Sequence, residues 1–365
     1  MSSEKITSSE IPLLFKNSLH WNILNWSVDE WNAFLNDSSV KYPFRVGSML
    51  CSRDPQWERN CEVADMTFSD FFKKFNEKNN PKNWWYFDYK HIEEWLREKA
   101  DKMDINWKDF GHPEITAKGS TLWIGTKGAH TPCHIDTYGC NLVAQLYGKR
   151  KRWILFPPSE TNNLKPSRIP YEESSIYSQI NFFCGCSDFS EIKNIYVVDL
   201  EPGDVLFVPF HWWHYVENLS SAISVNTWIS CELDDVCRVE ESLVKYFISS
   251  VCKNVSSEEI KLILNPNEDD LPNTEEVKNL QELSWCLNQC SEMENKMSPN
   301  DSESNYGLKK ITPEVFIESL KLKCKDNFGV NMSVNNNLIR NDVINAFCHP
   351  EVITLVRKKL QNFPV

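Results

Sequence analysis

The alternation of hydrophobic and polar positions changes character twice along the chain. In the first part, residues 1–110, Ser27 and Glu30 have the spacing of a capping box ahead of an amphipathic stretch. A second helix is predicted to begin after Thr67, where four phenylalanines recur on one side. Residues 84–89 form a strand-like run between turn residues. Residues 1–110 are therefore predicted to be a flank of mixed helix and strand.

The middle part, residues 111–241, lacks a helical period and consists of short β-branched and aromatic runs separated by Gly and Pro. The predicted strands are 121–125, 141–147, 152–156, 195–200, 205–208 and 222–229. Such closely spaced strands favour an antiparallel sandwich or barrel, so this part is predicted to be the core domain. The longer stretch 159–188 is expected to be a structured loop over one end of that core.

The last part, residues 242–365, has a helical pattern, which already begins with an apolar face over 236–251. Further helices are predicted after Ser256 and Thr312, and a final one that is broken at Pro350. Residues 291–307 are rich in Ser, Asn and Glu and are predicted to be a disordered linker. The sequence thus predicts an all-helical appendage behind the core.

Composition narrows the class of protein. With 41% hydrophobic and 12% aromatic residues the chain can bury a full core. Its net charge of -12 argues against nucleic-acid binding, because that binding depends on Lys and Arg. No run of about 18 apolar residues predicts a membrane span.

The chain has thirteen cysteines, whose redox state depends on the cellular compartment. The chain starts without a basic and apolar leader, so reduced thiols in the cytoplasm, with the nucleus as an alternative, are the expectation. The pairs Cys184 with Cys186 and Cys286 with Cys290 lack the CxxC spacing of structural zinc sites, so zinc is disfavoured.

A candidate metal site stands out in the middle part. His134 and Asp136 are alternate residues of a strand-like run and would point to the same side. His214 follows the predicted strand 205–208 and could lie close to both residues in the fold. Two His and one carboxylate are the ligand set of non-haem Fe(II) oxygenases. An HxD triplet alone is common by chance, and His130 and His211 are rival candidates.

The motifs around these residues have a specific resemblance to those of a known family. They are Thr131-Pro-Cys-His134-Ile-Asp136, the run from Asn141 to Gly148, the run from Lys149 to Pro158, Gly203-Asp-Val-Leu-Phe-Val-Pro209 and His211-Trp-Trp-His214. Together they resemble the JmjC hydroxylase family. The resemblance covers residues from about 12 to 241 and does not extend to the rest of the chain.

The resemblance implies a fold and an activity. The fold is mainly β with α: a double-stranded β-helix of the cupin or jelly-roll kind, with an N-terminal α/β flank and a C-terminal helical appendage. The activity is that of an Fe(II)- and 2-oxoglutarate-dependent dioxygenase that uses O2 and hydroxylates a protein side chain. His134, Asp136 and His214 would hold the iron and act in catalysis.

The resemblance also implies a 2-oxoglutarate site. Thr131 matches a hydroxyl donor, Asn141 and Asn226 match residues that bond the cosubstrate, and Trp228 matches a wall residue. The far carboxylate of 2-oxoglutarate needs a cation in a dry pocket. Counting positions from the neighbouring motifs through the turn at Gly148 does not identify one residue as that cation. Strand alternation favours Lys151, with Lys149 as the alternative.

Two expectations concern partners. Residues 120–125 and 168–175 resemble members of the family that associate with a small heat-shock protein, so such a protein is an expected partner or substrate. The alternative function is a scaffold that binds this partner in a stress response with weak or no catalysis. Related hydroxylases pair through C-terminal helices, so the apolar face over 236–251 predicts either a homodimer or packing within the chain.

Overall fold

A computed structural model of the chain describes residues 6–77, 81–185, 187, 189–268, 270–290, 307–324 and 339–362. Most of the predicted linker, residues 291–306, lies outside the described residues. No helix among the described residues has the length and apolar character needed to cross a bilayer.

Two antiparallel sheets form the centre of the fold. The strands are β1 (Leu13–Phe15), β2 (Tyr42–Ser48), β3 (Glu62–Met66), β4 (Asn83–His91), β5 (Asn106–Trp107), β6 (His112–Thr116), β7 (Thr121–Gly125), β8 (His130–Asp136), β9 (Cys140–Tyr147), β10 (Lys151–Phe156), β11 (Pro166–Ser167), β12 (Ser175–Ser178), β13 (Ile195–Leu200), β14 (Val205–Val208), β15 (Trp213–Asn218), β16 (Ala222–Ile229) and β17 (Lys310–Ile311). The eight-stranded sheet has the order β1-β14-β9-β16-β7-β4-β2-β3, and the seven-stranded sheet has the order β11-β12-β8-β15-β10-β13-β17. Consecutive strands that alternate between the two sheets give the predicted jelly-roll.

Side-chain alternation decides which residues face the space between the sheets. On β9, Leu142 and Ala144 belong to a large hydrophobic cluster on the outer side of the eight-stranded sheet. Asn141 and Val143 point the other way and line an internal cavity. The same rule on β16 places Ser224 in the cavity wall, while Val225 packs outside. Polar side chains at alternate positions therefore meet between the sheets.

The N-terminal flank covers the outer side of the large sheet. The described α-helices are α1 (Val28–Leu35), α2 (Phe68–Phe75), α3 (Ile92–Leu96), α4 (Asp234–Cys252), α5 (Ser257–Ile263), α6 (Glu276–Gln289), α7 (Pro313–Cys324), α8 (Ile339–Phe347) and α9 (Pro350–Gln361). The predicted capping box of Ser27 and Glu30 starts α1. The Thr67 side chain caps α2, whose four phenylalanines are buried. Because β2, β3 and β4 continue the eight-stranded sheet, the flank and the core share one framework.

The C-terminal region departs from the all-helical prediction at β17. This two-residue strand pairs with β13 and extends the seven-stranded sheet. Phe316 of α7 is then buried beneath the same sheet. The helix starts predicted at Ser256 and at Pro313 are confirmed by α5 and α7, and the predicted break at Pro350 separates α8 from α9.

The apolar face of α4 is covered within the chain. Val244 and Ile248 are fully buried in a cluster that also contains Leu283 of α6 and Ile353 of α9. The chain itself therefore covers this face of α4, which agrees with packing within the chain, one of the two alternatives that the sequence left open. The homodimer stays a prediction.

Candidate metal centre and cosubstrate pocket

The proposed metal ligands come together on one side of the seven-stranded sheet. His134 and Asp136 lie on β8, and His214 on β15 is the direct cross-strand partner of His134. The ligand atoms of the three side chains lie within 4.8 Å of one another. They form the one such cluster of potential metal ligands in the part of the chain that the structure describes. The strand that returns His214 is β15, which the sequence pattern did not reveal.

The hydrogen bonds of the two imidazoles decide which ring nitrogen is available. His134 Nδ1 lies 2.9 Å from the carbonyl oxygen of Pro132, and His214 Nδ1 lies 3.0 Å from that of Trp212. A carbonyl oxygen can only accept, so each Nδ1 carries the hydrogen and each Nε2 keeps its lone pair. Both Nε2 atoms face Asp136.

The spacing of these atoms fits one ion. His134 Nε2 lies 3.4 Å from Asp136 Oδ1, and His214 Nε2 lies 3.7 Å from Asp136 Oδ2. Ligands at right angles on a metal with bonds of about 2.1 Å stand about 3 Å apart. The two histidine-carboxylate separations lie within an ångström of that spacing, so the three side chains would hold one ion between them.

Two neighbouring side chains fix the carboxylate of Asp136. Trp228 Nε1 donates to Asp136 Oδ2 over 2.9 Å, and Asn141 Nδ2 donates to the same oxygen over 3.1 Å. Trp228 and Asn141 face each other across the β16 and β9 pair, which brings both donors to one point. Such outer contacts orient a metal ligand and contribute to affinity. Trp228 therefore orients the Asp136 carboxylate in addition to lining the cavity.

The charge states of His214 and Asp136 also suit a metal site, while Asp136 outweighs burial and raises the pKa of His134. Burial, reinforced by the neighbouring His134, lowers the pKa of His214 to about 4, so its imidazole is neutral at physiological pH. Burial would raise the pKa of Asp136, but the two histidines and Trp228 outweigh it and lower that pKa. A neutral imidazole and an ionised carboxylate are the forms that coordinate metals.

The two rival histidines lie elsewhere. His130 is buried and its ring stacks on Phe183 at a centroid distance of 4.4 Å. His211 stacks on Phe210, its Nε2 lies 3.5 Å from the Sγ of Cys237, and burial lowers its pKa to about 4. His211 therefore packs against side chains outside the cavity.

One cavity of about 100 Å³ contains the metal ligands and the predicted cosubstrate residues. The predicted residues in its wall are Thr131, Asn141, Lys151, Asn226 and Trp228. Lys151 is only 3% exposed, whereas Lys149 lies exposed in the turn before β10. The structure therefore brings Lys151, and not Lys149, into the pocket.

Lys151 is poised to hold an anion. Its Nζ donates to Ser224 Oγ over 2.6 Å and lies 5.9 Å from the ring centres of Tyr86 and Trp123. Burial lowers the pKa of Lys151 to about 7, with Asp88 opposing the shift. An incoming carboxylate would supply the partner that this buried cation needs.

A chain of amides continues the polar wall. Asn226 Nδ2 donates to Asn141 Oδ1 over 3.0 Å, and Trp123 Nε1 donates to Asn226 Oδ1 over 2.7 Å. Thr131 and Tyr86 lie in the same wall of the cavity. These contacts fix the side chains in place before any ligand enters.

Sequence reasoning missed several residues of the pocket. Tyr86 and Asp88 were within reach, because alternation along the predicted strand 84–89 places them on one face. Ser224 shares the face of Asn226 for the same reason. Glu58 and Glu172 carried no pattern, since they come from separate irregular segments.

The jelly-roll with a His-Asp-His cluster at one end of its sheets defines the protein as a cupin of the JmjC type. Comparison of the sequence agrees: the chain belongs to the family described as Cupin-like domain, whose model matches residues 1–234.

Named relatives refine this placement. The chain is 38% identical to the HSPB1-associated protein 1 homolog of Danio rerio over 80% of its own length and 69% of the relative. It is 39% identical to the HSPB1-associated protein 1 of Homo sapiens over 73% of its own length, and this match spans 57% of the human protein. It is 28% identical to the 2-oxoglutarate and iron-dependent oxygenase JMJD4 of Danio rerio over 58% of its length and 47% of that relative.

Proposed function

We propose that this protein is an Fe(II)- and 2-oxoglutarate-dependent dioxygenase that uses O2 to hydroxylate a protein side chain. The observation that carries the proposal is the shared cavity: three converging metal ligands and a buried lysine line the same pocket. Two imidazoles and one carboxylate leave coordination positions open for a cosubstrate and oxygen. A relative named as a 2-oxoglutarate and iron-dependent oxygenase supports the same chemistry.

His134, Asp136 and His214 would hold the iron, which supplies the activation of O2 and the oxidation of a C–H bond when bound. The remaining residues of the chain bind and orient. Asn141 and Trp228 hold the Asp136 carboxylate, and Lys151 would pair with the far carboxylate of 2-oxoglutarate. The buried walls exclude water from the reacting groups. If the attacked carbon is bonded to nitrogen, hydroxylation would lead to loss of that carbon group as demethylation.

Metal binding and turnover test this proposal separately. His214→Ala removes one of three ligands, so bound Fe(II) and the succinate formed from 2-oxoglutarate should both fall to background. His20→Ala is the matched control, because this histidine is exposed and lies outside the cavity. Wild-type metal content and succinate formation in His214→Ala would refute the assignment.

A small heat-shock protein is the proposed partner or substrate. Two relatives are named for an association with HSPB1, and this supports the same kind of partner for the chain. Co-sedimentation with a purified small heat-shock protein, followed by mass spectrometry for a 16 Da gain, would separate a partner from a substrate. The alternative of a scaffold with weak or no catalysis is less favoured, because an intact ligand set and a buried lysine have no role in a scaffold.

A further inference from the structure

Three hydrogen bonds run in series from Trp123 to the metal ligand Asp136. The first two lead from Trp123 Nε1 to Asn226 Oδ1 over 2.7 Å and from Asn226 Nδ2 to Asn141 Oδ1 over 3.0 Å. The third leads from Asn141 Nδ2 to Asp136 Oδ2 over 3.1 Å. The two asparagines are only 5% and 2% exposed, in the order Asn141 and Asn226, so their amides cannot turn to bulk water instead. Trp123 therefore reaches the metal ligand through two buried amides.

The two ends of this series fix its direction. An indole N–H can only donate and an ionised carboxylate can only accept, whereas an amide can present either its oxygen or its nitrogen to a neighbour. Trp123 and Asp136 thus require the same direction from opposite ends. Every bond is made when both amides turn their oxygens toward Trp123 and their nitrogens toward Asp136, and in no other arrangement.

This direction provides donors for a ligand. Each amide nitrogen carries two hydrogens, and in the described part of the chain each uses one of them within the series. Asn141 and Asn226 both line the cavity, so the second hydrogens are available to a molecule in it. Together with the amine of Lys151 they make this wall a surface of donors, which suits a dianion such as 2-oxoglutarate.

Trp123 lies where the cation and the amides of this wall meet. It is the cross-strand partner of Ser224, whose hydroxyl oxygen accepts from Lys151. The centre of its ring lies 5.9 Å from Lys151 Nζ and 5.9 Å from the ring centre of Tyr89. Neighbours on two sides thus hold the indole with its N–H aimed at Asn226.

We propose that Trp123 is a positioning residue that fixes the direction of both amides and thereby makes this wall a donor surface for the anionic cosubstrate. It acts through Asn226 and Asn141. The proposal rests on the proposed function, because it assigns the donors to 2-oxoglutarate.

Loss of the indole N–H should affect the cosubstrate and not the metal. The buried Asn226 Oδ1 would lose its donor, and the amide could then turn its oxygen into the cavity, toward the anion. Asn141 would still be held by Asp136 at the other end of the series, and Trp228 would still donate to the same carboxylate. The metal ligand therefore keeps both of its supports.

Calorimetry without oxygen on the full chain loaded with Mn(II) tests this expectation. Two forms of the protein lack the donor. One is Trp123→Phe, and the other carries benzothienylalanine in place of Trp123, introduced site-specifically, which keeps the bicyclic ring and has sulfur instead of the N–H. In both, the dissociation constant for 2-oxoglutarate should rise about tenfold, the scale expected when a buried acceptor loses its donor. The dissociation constant for Mn(II) should stay at the wild-type value.

Two further variants place the effect on this residue. Trp85→Phe makes the same change of ring outside the cavity, so both dissociation constants should match the wild type. Trp228→Phe removes a donor from Asp136 itself and should weaken binding of Mn(II).

Unchanged affinity for 2-oxoglutarate in both forms that lack the Trp123 donor would overturn the proposal, and so would an equal loss of affinity for 2-oxoglutarate and Mn(II). Failure of the proposed function would look different. A wild-type protein that binds 2-oxoglutarate with the expected effect of Trp123, yet forms no succinate, would refute the proposed function and support this inference. A wild-type protein that does not bind 2-oxoglutarate would refute both.

Discussion

Lys151 offers a sharp test of the pocket, because its charge should change when 2-oxoglutarate binds. Its amine is buried between Tyr86, Trp123 and Ser224, and the carboxylate that faces it, Asp88, is engaged by Arg45. Burial lowers the pKa of Lys151 to about 7. A bound carboxylate favours the charged amine and returns that pKa toward its ordinary value of about 10.4.

The size of the effect follows from these two pKa values. With a pKa of about 7, about one tenth of the free protein carries the proton on Lys151 at pH 8, and about nine tenths at pH 6. Binding at pH 8 should therefore take up about 0.9 proton, and at pH 6 about 0.1 proton. The dissociation constant for 2-oxoglutarate should rise about tenfold from pH 6 to pH 8, since protonation and binding are linked.

Calorimetry without oxygen measures this directly. Titration of the Mn(II)-loaded protein in two buffers of different ionisation enthalpy gives the number of protons taken up at each pH. Lys151→Met should bind weakly and take up no proton, while Lys149→Met should behave as wild type because that residue is exposed. Tight binding with no proton uptake at pH 8 would refute the reasoning, since Lys151 would then already be charged in the free protein.

Two further predictions address the supports of the site. Trp228→Phe removes the 2.9 Å hydrogen bond to Asp136 and keeps a ring, so metal affinity should fall about 10- to 100-fold in a competition titration, and an unchanged affinity would deny Trp228 this role. Arg168→Met leaves Glu241 buried without its cation and should lower the free energy of unfolding by about 3–5 kcal/mol in urea denaturation. The double variant Arg168→Met, Glu241→Leu should recover most of this loss, and equal loss in both variants would contradict the charge argument.

Much of the framework was predictable from the sequence because its strands follow simple rules. The runs 121–125, 195–200, 205–208 and 222–229 match the observed strands at both ends, since β-branched and aromatic residues there are bounded by Gly, Pro or polar turns. Strand β15 was missed because all six of its residues are buried, including His214, Glu217 and Asn218. A strand that is buried on both faces shows no alternation of polar and apolar positions.

The residues of the candidate site likewise divide into those that the sequence predicts and those that it does not. His134 and Asp136 were predictable because strand period alone puts them on one side. Lys151 was predictable from strand alternation. Its hydrogen-bond acceptor Ser224 could be recognised only once the packing of the two sheets was known. Glu58 and Glu172 could not be predicted, because only the folded chain brings these irregular segments to one cavity.

The helical region that begins with α4 supports the cavity, so the family match covers only part of the site. Glu241 of α4 accepts hydrogen bonds from Arg168 and from the backbone N–H of Ser174, and both donors flank Glu172. Asn265 and Asn267, further along the chain, hold the Glu172 carboxylate itself.

The family model ends at residue 234, before all three of these supports. The metal ligands therefore lie within the shared domain, while part of the rim that would contact a substrate depends on residues of the helical region outside it. A reaction centre in one domain with a rim supported by a separate region allows substrate choice to change without disturbing the metal site. The helical region is thus a place to look for differences in substrate among members of this family.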